Sequence, residues 1–137
     1  MTNARVVLAI DPGCCKCGVA VVTRTPSDTL TTLHQGVVNS SELRSTVADL
    51  SARFAPTEVI IGNGTTCERN LDLVRSVVSV PIRPVDERYT TVLARRRYFR
   101  ENPPRGLRRL IPVSLQTPGR PYDDFVAIIL AERYLVS

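Results

Sequence analysis

The sequence predicts an α/β fold: a mixed five-stranded sheet with helices on both faces. Two observations lead to this prediction. Near the N-terminus, short apolar runs are separated by turn residues, as in an antiparallel meander. After residue 58, short apolar runs instead alternate with segments of helical periodicity, which is typical of parallel strands joined by crossover helices. At 137 residues the chain suits a single domain spanning residues 1–137.

The first three strands form the predicted meander. Val6–Ile10 is a short apolar run that leads into Asp11, Pro12 and Gly13, and a second apolar run begins at Gly18. Leu30–Val38 has the pattern of a third strand. Asp11 therefore lies where the first strand leaves the core. A buried carboxylate needs a partner such as a cation or backbone N–H groups, although Asp11 could simply cap the turn.

The second half alternates helices and strands. We expect Ser40 or Ser41 to cap a helix that Pro56 ends, because apolar residues recur on one helical face: Leu43, Val47, Leu50 and Phe54. Two short strands, Val59–Ile61 and Ile82–Val85, flank a second helix with apolar positions at Leu71, Val74, Val77 and Val78. A third helix runs from about Thr91 to Pro103, and a fourth spans Pro121–Leu135.

Basic residues are concentrated in one part of the chain. The net charge is +5, Lys16 is the only lysine, and residues 88–120 contain nine arginines but one acid, Glu101. Arginine matches phosphate oxygens two at a time, so this segment predicts contact with a polyanion, the alternative being a solvated helix face. Residues 105–120 predict a loop over the site, anchored by five apolar residues: Leu107, Leu110, Ile111, Val113 and Leu115.

Composition excludes several classes. No apolar run approaches the ~20 residues of a membrane span, and the N-terminus lacks a signal-peptide pattern, so we expect a cytoplasmic protein. The four cysteines, Cys14, Cys15, Cys17 and Cys67, do not have zinc-site spacing and are expected to be buried thiols. The single His34, expected in or beside a strand, supports no metal cluster.

Acidic residues follow or begin three of the predicted elements. Asp11 ends the first strand, Glu87 lies beside Asp86 after the last strand, and Asp123 and Asp124 begin the last helix. Each has a local explanation as a turn cap, a turn residue or a helix N-terminus. Their convergence at one edge of the sheet would instead imply a hard divalent cation, Mg²⁺ or Mn²⁺. Two such ions about 4 Å apart can activate water and stabilise the leaving oxygen of a phosphodiester.

Four motifs, in this order, resemble the YqgF/RuvX family of RNase H-like nucleases, which are related to the RuvC Holliday-junction resolvases: IDPGCCKCGVAV, IGNG, VDERYTTVLAR and YDDFVAIILAERYL. The resemblance covers nearly the whole chain. It implies an RNase H-like fold, with catalytic and metal-binding roles for Asp11, Glu87 and an Asp that begins the last helix. That Asp matches Asp123, with Asp124 as the next candidate. The family is associated with maturation of the 5′ end of 16S rRNA.

The chain departs from the family pattern in two places. Cys14, Cys15 and Cys17 surround Lys16 in the first turn, where the family has a Thr-Lys or Arg-rich turn. Residues 62–66 read Gly-Asn-Gly-Thr-Thr, whereas RuvC enzymes proper carry a Glu at that point. This difference weakens the resolvase hypothesis and leaves the three acids intact.

The leading hypothesis is a metal-dependent nuclease that hydrolyses nucleic-acid phosphodiesters, with RNA favoured and branched DNA as the alternative. Lys16 and several arginines are expected to contact phosphates: Arg88, Arg95, Arg96, Arg105, Arg108 and Arg109. Arg88 could instead pair with a neighbouring acid. The loop residues Asn63, Thr65 and Thr66 would position backbone or water near the ions. A monomer or homodimer fits equally well.

Two other classes remain open. A non-catalytic nucleic-acid-binding module would keep the fold without the chemistry, although the intact acids argue against it. An actin-like or sugar-kinase ATPase would need two such domains around a nucleotide, and this chain supplies one.

Overall fold

A computed structural model describes residues 5–13, 15–64, 67–88, 90–112, 115–116, 118 and 121–136. It contains five strands and four α-helices in the order β1 (Arg5–Asp11), β2 (Lys16–Arg24), β3 (Leu30–Asn39), α1 (Leu43–Phe54), β4 (Glu58–Gly62), α2 (Cys67–Arg75), β5 (Ile82–Val85), α3 (Thr90–Glu101) and α4 (Asp123–Val136). No helix among these residues is long and apolar enough to cross a bilayer.

The sheet has the strand order β3-β2-β1-β4-β5. β1, β2 and β3 form the antiparallel meander, and β4 and β5 extend β1 in parallel. The predicted mixed five-stranded sheet is therefore confirmed. Because β1, β4 and β5 run in the same direction, their carboxyl ends lie at one edge of the sheet.

Each face of the sheet has its own apolar core. On one face, alternate strand residues such as Val7, Ala9 and Ile60 pack with α4 and with Ala94 of α3. On the other, Leu8, Ile10 and their neighbours pack against α1 and α2. This alternation follows from the two-residue period of strand side chains. It also determines that Asp11, two residues after Ala9, lies on the α4 face.

Three local predictions are wrong. Ser40 begins a short 3₁₀ helix, and its hydroxyl donates to the carbonyl of Gly13 at 3.0 Å instead of capping α1. The expected anchors of the arginine-rich segment are exposed: Leu107, Leu110, Ile111 and Leu115. Too few neighbours surround them to bury them, and Val113 lies outside the described residues. Among the cysteines, Cys17 is buried as expected but Cys15 is exposed on the turn before β2. Cys14 and the side chain of Cys67 lie outside the described part.

Candidate functional site

Asp11 and Glu87 reach the same edge of the sheet because parallel strands carry them there. Asp11 is the last residue of β1, and Glu87 follows β5 by two residues. Between these strands lies β4, whose Gly62 pairs with Val85 of β5. Val85 packs on the α4 side of the sheet, so the chain after it leaves the sheet on the face to which Asp11 belongs.

Gly18 brings the third acid to this edge. It pairs directly with Asp11 across the β1–β2 ladder. A Cβ atom at Gly18 would collide with the backbone carbonyl of Asp123, and the amide nitrogen of Asp124 would be only 2.8 Å away. The absence of a side chain therefore lets the first turn of α4 lie against β2, beside Asp11.

Gly62 makes a comparable space for Glu87. A Cβ at Gly62 would collide with the Glu87 carboxylate, so this carboxylate lies directly over the end of β4. Its Oε1 is buried and has no hydrogen-bond partner among the described residues. The hydroxyl of Thr90 donates to the Glu87 carbonyl at 2.6 Å, which ties the acid to the start of α3.

Burial disfavours the ionised form of all three carboxyls, and at Asp11 the charges of the other two add to this effect. Burial, followed by the charges of Glu87 and Asp123, raises the pKa of Asp11 to about 7. Burial also raises the pKa of Glu87, against a hydrogen bond from the Gly64 backbone that lowers it. For Asp123, burial and then the charge of Asp124 raise the pKa, while its own backbone N–H and the Lys16 ammonium lower it.

This donor set fits a hard divalent cation. The carboxylate oxygens are the donors that Mg²⁺ and Mn²⁺ prefer, and the unpartnered Oε1 of Glu87 is a buried acceptor without a donor in the described part of the chain. A cation would also offset the charge that raises the pKa of Asp11. Across the described ranges, however, no three Asp, Glu, His or Cys side chains are gathered closely enough to hold an ion as they stand. The structure therefore contains acidic neighbours, and binding an ion would require their side chains to draw together.

Of the two acids that begin α4, only Asp123 is among the charges that act on Asp11. Asp124 is 3% exposed, and its Oδ2 accepts a hydrogen bond of 3.0 Å from the side chain of Gln35 on β3. The Asp124 carboxylate is thus engaged with the β3 side of the sheet. Sequence analysis did not single out Gln35, and no motif distinguishes it from the other polar residues of β3.

Lys16 lines a cavity next to the acidic edge. The cavity has a volume of about 460 Å³, and Gln35, Asn39 and Asp124 also line it. Its walls carry one ammonium group, two amides and the carboxylates of Glu42 and Asp124.

The predicted phosphate-binding arginines differ in their surroundings. Arg88 forms an ion pair with Asp86 at 3.2 Å, which is the alternative that the sequence left open. Arg133 donates to the carbonyls of Asp86 and Arg88 and so braces this turn. Five other arginines form no ion pair with any described residue: Arg95, Arg96, Arg105, Arg108 and Arg109.

The loop after β4 is only partly described. The backbone N–H of Asn63 donates to the carbonyl of Val85 at 2.9 Å, which continues the β4–β5 pairing towards Glu87. The side chain of Asn63 is exposed. The predicted site residues Thr65 and Thr66 lie outside the described residues.

Comparison with known proteins identifies the fold. No family model and no curated protein matches the sequence. Among solved structures, RuvC of Thermus thermophilus superposes with a TM-score of 0.62 at 19% identity, over 95% of this chain and 92% of RuvC. The same protein in complex with a Holliday junction substrate gives 0.57 at 18% identity, with the same coverage. The yeast mitochondrial Holliday junction resolvase gives 0.54 at 12% identity, over 94% of this chain and 77% of that one. The chain therefore has the RNase H-like fold of RuvC.

Proposed function

We propose that this protein is a divalent-metal-dependent nuclease that hydrolyses phosphodiester bonds in nucleic acid. The observation that supports the proposal is that Asp11, Glu87 and Asp123 are neighbours at one edge of the sheet, where the pKa of each is raised. Local explanations account for each acid separately. They do not account for two glycines, Gly18 and Gly62, whose missing side chains bring the acids together.

Asp11, Glu87 and Asp123 would hold the metal, as one or two Mg²⁺ or Mn²⁺ ions. Bound there, such ions would lower the pKa of a water molecule and offset charge on the leaving oxygen. The chain's own contribution is positioning. β1 holds Asp11 on a rigid element, and the Gly64 hydrogen bond orients Glu87. The Lys16 ammonium, which acts electrostatically on Asp123, would contact a phosphate of the substrate strand.

Basic residues outside the acidic edge support nucleic acid as the substrate. The five arginines without ion pairs in the described part are available to phosphates, and the net charge of +5 favours a polyanion. The RuvC-like fold supports the same class, since one of the matched structures holds RuvC on a Holliday junction.

The motif resemblance to the YqgF/RuvX family favours RNA, of the kind processed when the 5′ end of 16S rRNA matures. The absence of a Glu in residues 62–66 argues against a resolvase of the RuvC type. Branched DNA is nevertheless the second candidate, because the matched structures are resolvases.

Product mapping under identical conditions tests both candidates. Wild-type protein and Asp11→Asn would be incubated with structured RNA, single-stranded RNA and a four-way DNA junction, each with Mg²⁺ or Mn²⁺. We expect wild-type cleavage of RNA and none by the variant. Cleavage of the junction alone would transfer the proposal to branched DNA. If neither protein cleaves any substrate but both bind it, the chain is a non-catalytic binding module.

A further inference from the structure

The arginine-rich segment after α3 exposes leucines that a monomeric protein would ordinarily bury. Leu107, Leu110 and Leu115 are 83%, 77% and 76% exposed. Large apolar side chains that are exposed close together indicate an interaction surface. Two of these leucines belong to a short 3₁₀ helix, Gly106–Leu110, in which Arg108 and Arg109 lie between them.

Hydrogen bonds fix the conformation of the turn that carries these leucines. The side-chain amide of Gln116, 5% exposed, donates to the carbonyls of Arg108 and Ile111 at 2.8 and 2.9 Å. One buried amide therefore ties the end of the 3₁₀ helix to the residues after it. The leucines are held outward by a braced turn.

A cavity of about 300 Å³ lies beside this turn. Its walls combine aromatic and proline surfaces with two arginines: Tyr98, Phe99, Pro103, Pro104, Arg105 and Arg108. Gln116 also lines the cavity, and its Oε1 is a buried acceptor with no partner in the described part of the chain. Flat apolar walls, a hydrogen-bond acceptor and neighbouring guanidinium groups together match a nucleobase and its flanking phosphates.

The cavity lies on the same face of the sheet as the acidic edge. The Tyr98 ring packs edge-on against Phe125 with centroids 5.7 Å apart, and Phe125 follows Asp123 by two residues. The cavity wall and the acidic edge therefore both adjoin the first turn of α4.

We propose that the cavity and the 3₁₀ helix form a subsite for an unpaired base. The base enters the cavity, Arg105 and Arg108 contact the phosphates on either side, and Leu107 and Leu110 pack against the neighbouring bases. Apolar side chains inserted beside bases in this way stabilise unstacked nucleic acid. The inference rests on the proposed function, because it requires nucleic acid as the ligand. It adds that the preferred substrate has an unpaired base.

Three RNA hairpins of equal length provide the test. One is fully paired, one carries a single bulged 2-aminopurine, and one has an abasic residue at the bulge. Binding is measured by fluorescence anisotropy in EDTA, so that cleavage does not contribute. We expect wild-type protein to bind the base-containing bulge about tenfold more tightly than either other hairpin, with a change in 2-aminopurine fluorescence.

Variants separate the two kinds of contact. Leu107→Ser with Leu110→Ser, at exposed positions that folding should tolerate, should abolish the preference and leave the salt dependence unchanged. Arg105→Gln with Arg108→Gln should weaken binding of all three hairpins and reduce the slope of log affinity against log salt by about 1 to 2. Arg75→Gln, an exposed change on α2 across the sheet, is the matched control and should alter neither.

Equal binding of all three hairpins would overturn the subsite while leaving the nuclease proposal intact. Failure to bind any of them in EDTA would also overturn the subsite, and the cleavage assay with Mg²⁺ or Mn²⁺ tests the proposed function separately. If the leucine variants changed only the sedimentation coefficient, the exposed leucines would belong to a contact between copies of the chain, and the subsite would be wrong.

Discussion

Replacing Asp11 by Asn should stabilise the metal-free protein at neutral pH while abolishing its activity. The pKa of Asp11 is raised from 3.8 to about 7, so the folded state retains a proton that the unfolded chain releases. Stability of the wild type should therefore fall as the pH rises from about 4 to about 7. A shift of this size corresponds to at most about 4 kcal/mol, which partial solvent access reduces to about 2 to 3 kcal/mol. The Asn side chain does not ionise, so the variant should not lose stability over this pH range.

Urea unfolding in EDTA at pH 8 and at pH 4 measures the effect. At pH 8, Asp11→Asn should have the higher midpoint, and its thermal midpoint should increase on the order of 10 °C. At pH 4 the two proteins should be nearly equal, because wild-type Asp11 is then protonated when folded. Asp72→Asn, which removes a charge whose side chain is 81% exposed, is the matched control and should change little at either pH.

Adding millimolar Mg²⁺ at pH 8 extends the same experiment. It should raise the midpoint of the wild type and have little effect on Asp11→Asn, because a ligand that binds only the folded state stabilises it. An Asp11→Asn protein that is less stable than the wild type at pH 8, or equal to it, would refute the electrostatic argument. The assignment of Asp11 to a cation would then lose its physical basis.

Further substitutions test the other parts of the site. Glu87→Gln should abolish cleavage and leave folding and nucleic-acid affinity largely unchanged; unaltered turnover in a cleavage assay would contradict its role. Gly18→Ala should lower the free energy of unfolding by about 1 to 3 kcal/mol, because the new methyl group meets the backbone of Asp123. Gly36→Ala is its control in urea unfolding, since a Cβ there makes only an ordinary contact, 3.7 Å from His34. Five arginines can be changed to Gln together: Arg95, Arg96, Arg105, Arg108 and Arg109. RNA binding should weaken, and the slope of log affinity against log salt should decrease by roughly 0.7 to 0.9 for each phosphate that the protein no longer neutralises. An unchanged slope would show that these arginines do not contact phosphates.

The sequence alone was sufficient for the order and type of every strand and α-helix. Strands such as Glu58–Gly62 have a short apolar run bounded by turn residues, and α1 repeats apolar residues every three or four positions. These are local signals, because burial on one face imposes a period on the sequence itself. Local signals failed where a partner came from elsewhere in the chain. Ser40 could cap a helix by its position, but the turn at Gly13 provides its acceptor.

The candidate site divides in the same way. The sequence identified Asp11, Glu87 and the Asp123–Asp124 pair, because each follows or begins an element. Only the tertiary structure distinguished the two acids of that pair. Gln35 donates a hydrogen bond to Asp124, whereas the charge of Asp123 acts on Asp11. It alone showed that Leu107 and Leu110 face solvent. The physical reason is that a residue's own neighbours in sequence determine its conformation, whereas its burial and charge environment depend on residues far along the chain that packing brings beside it.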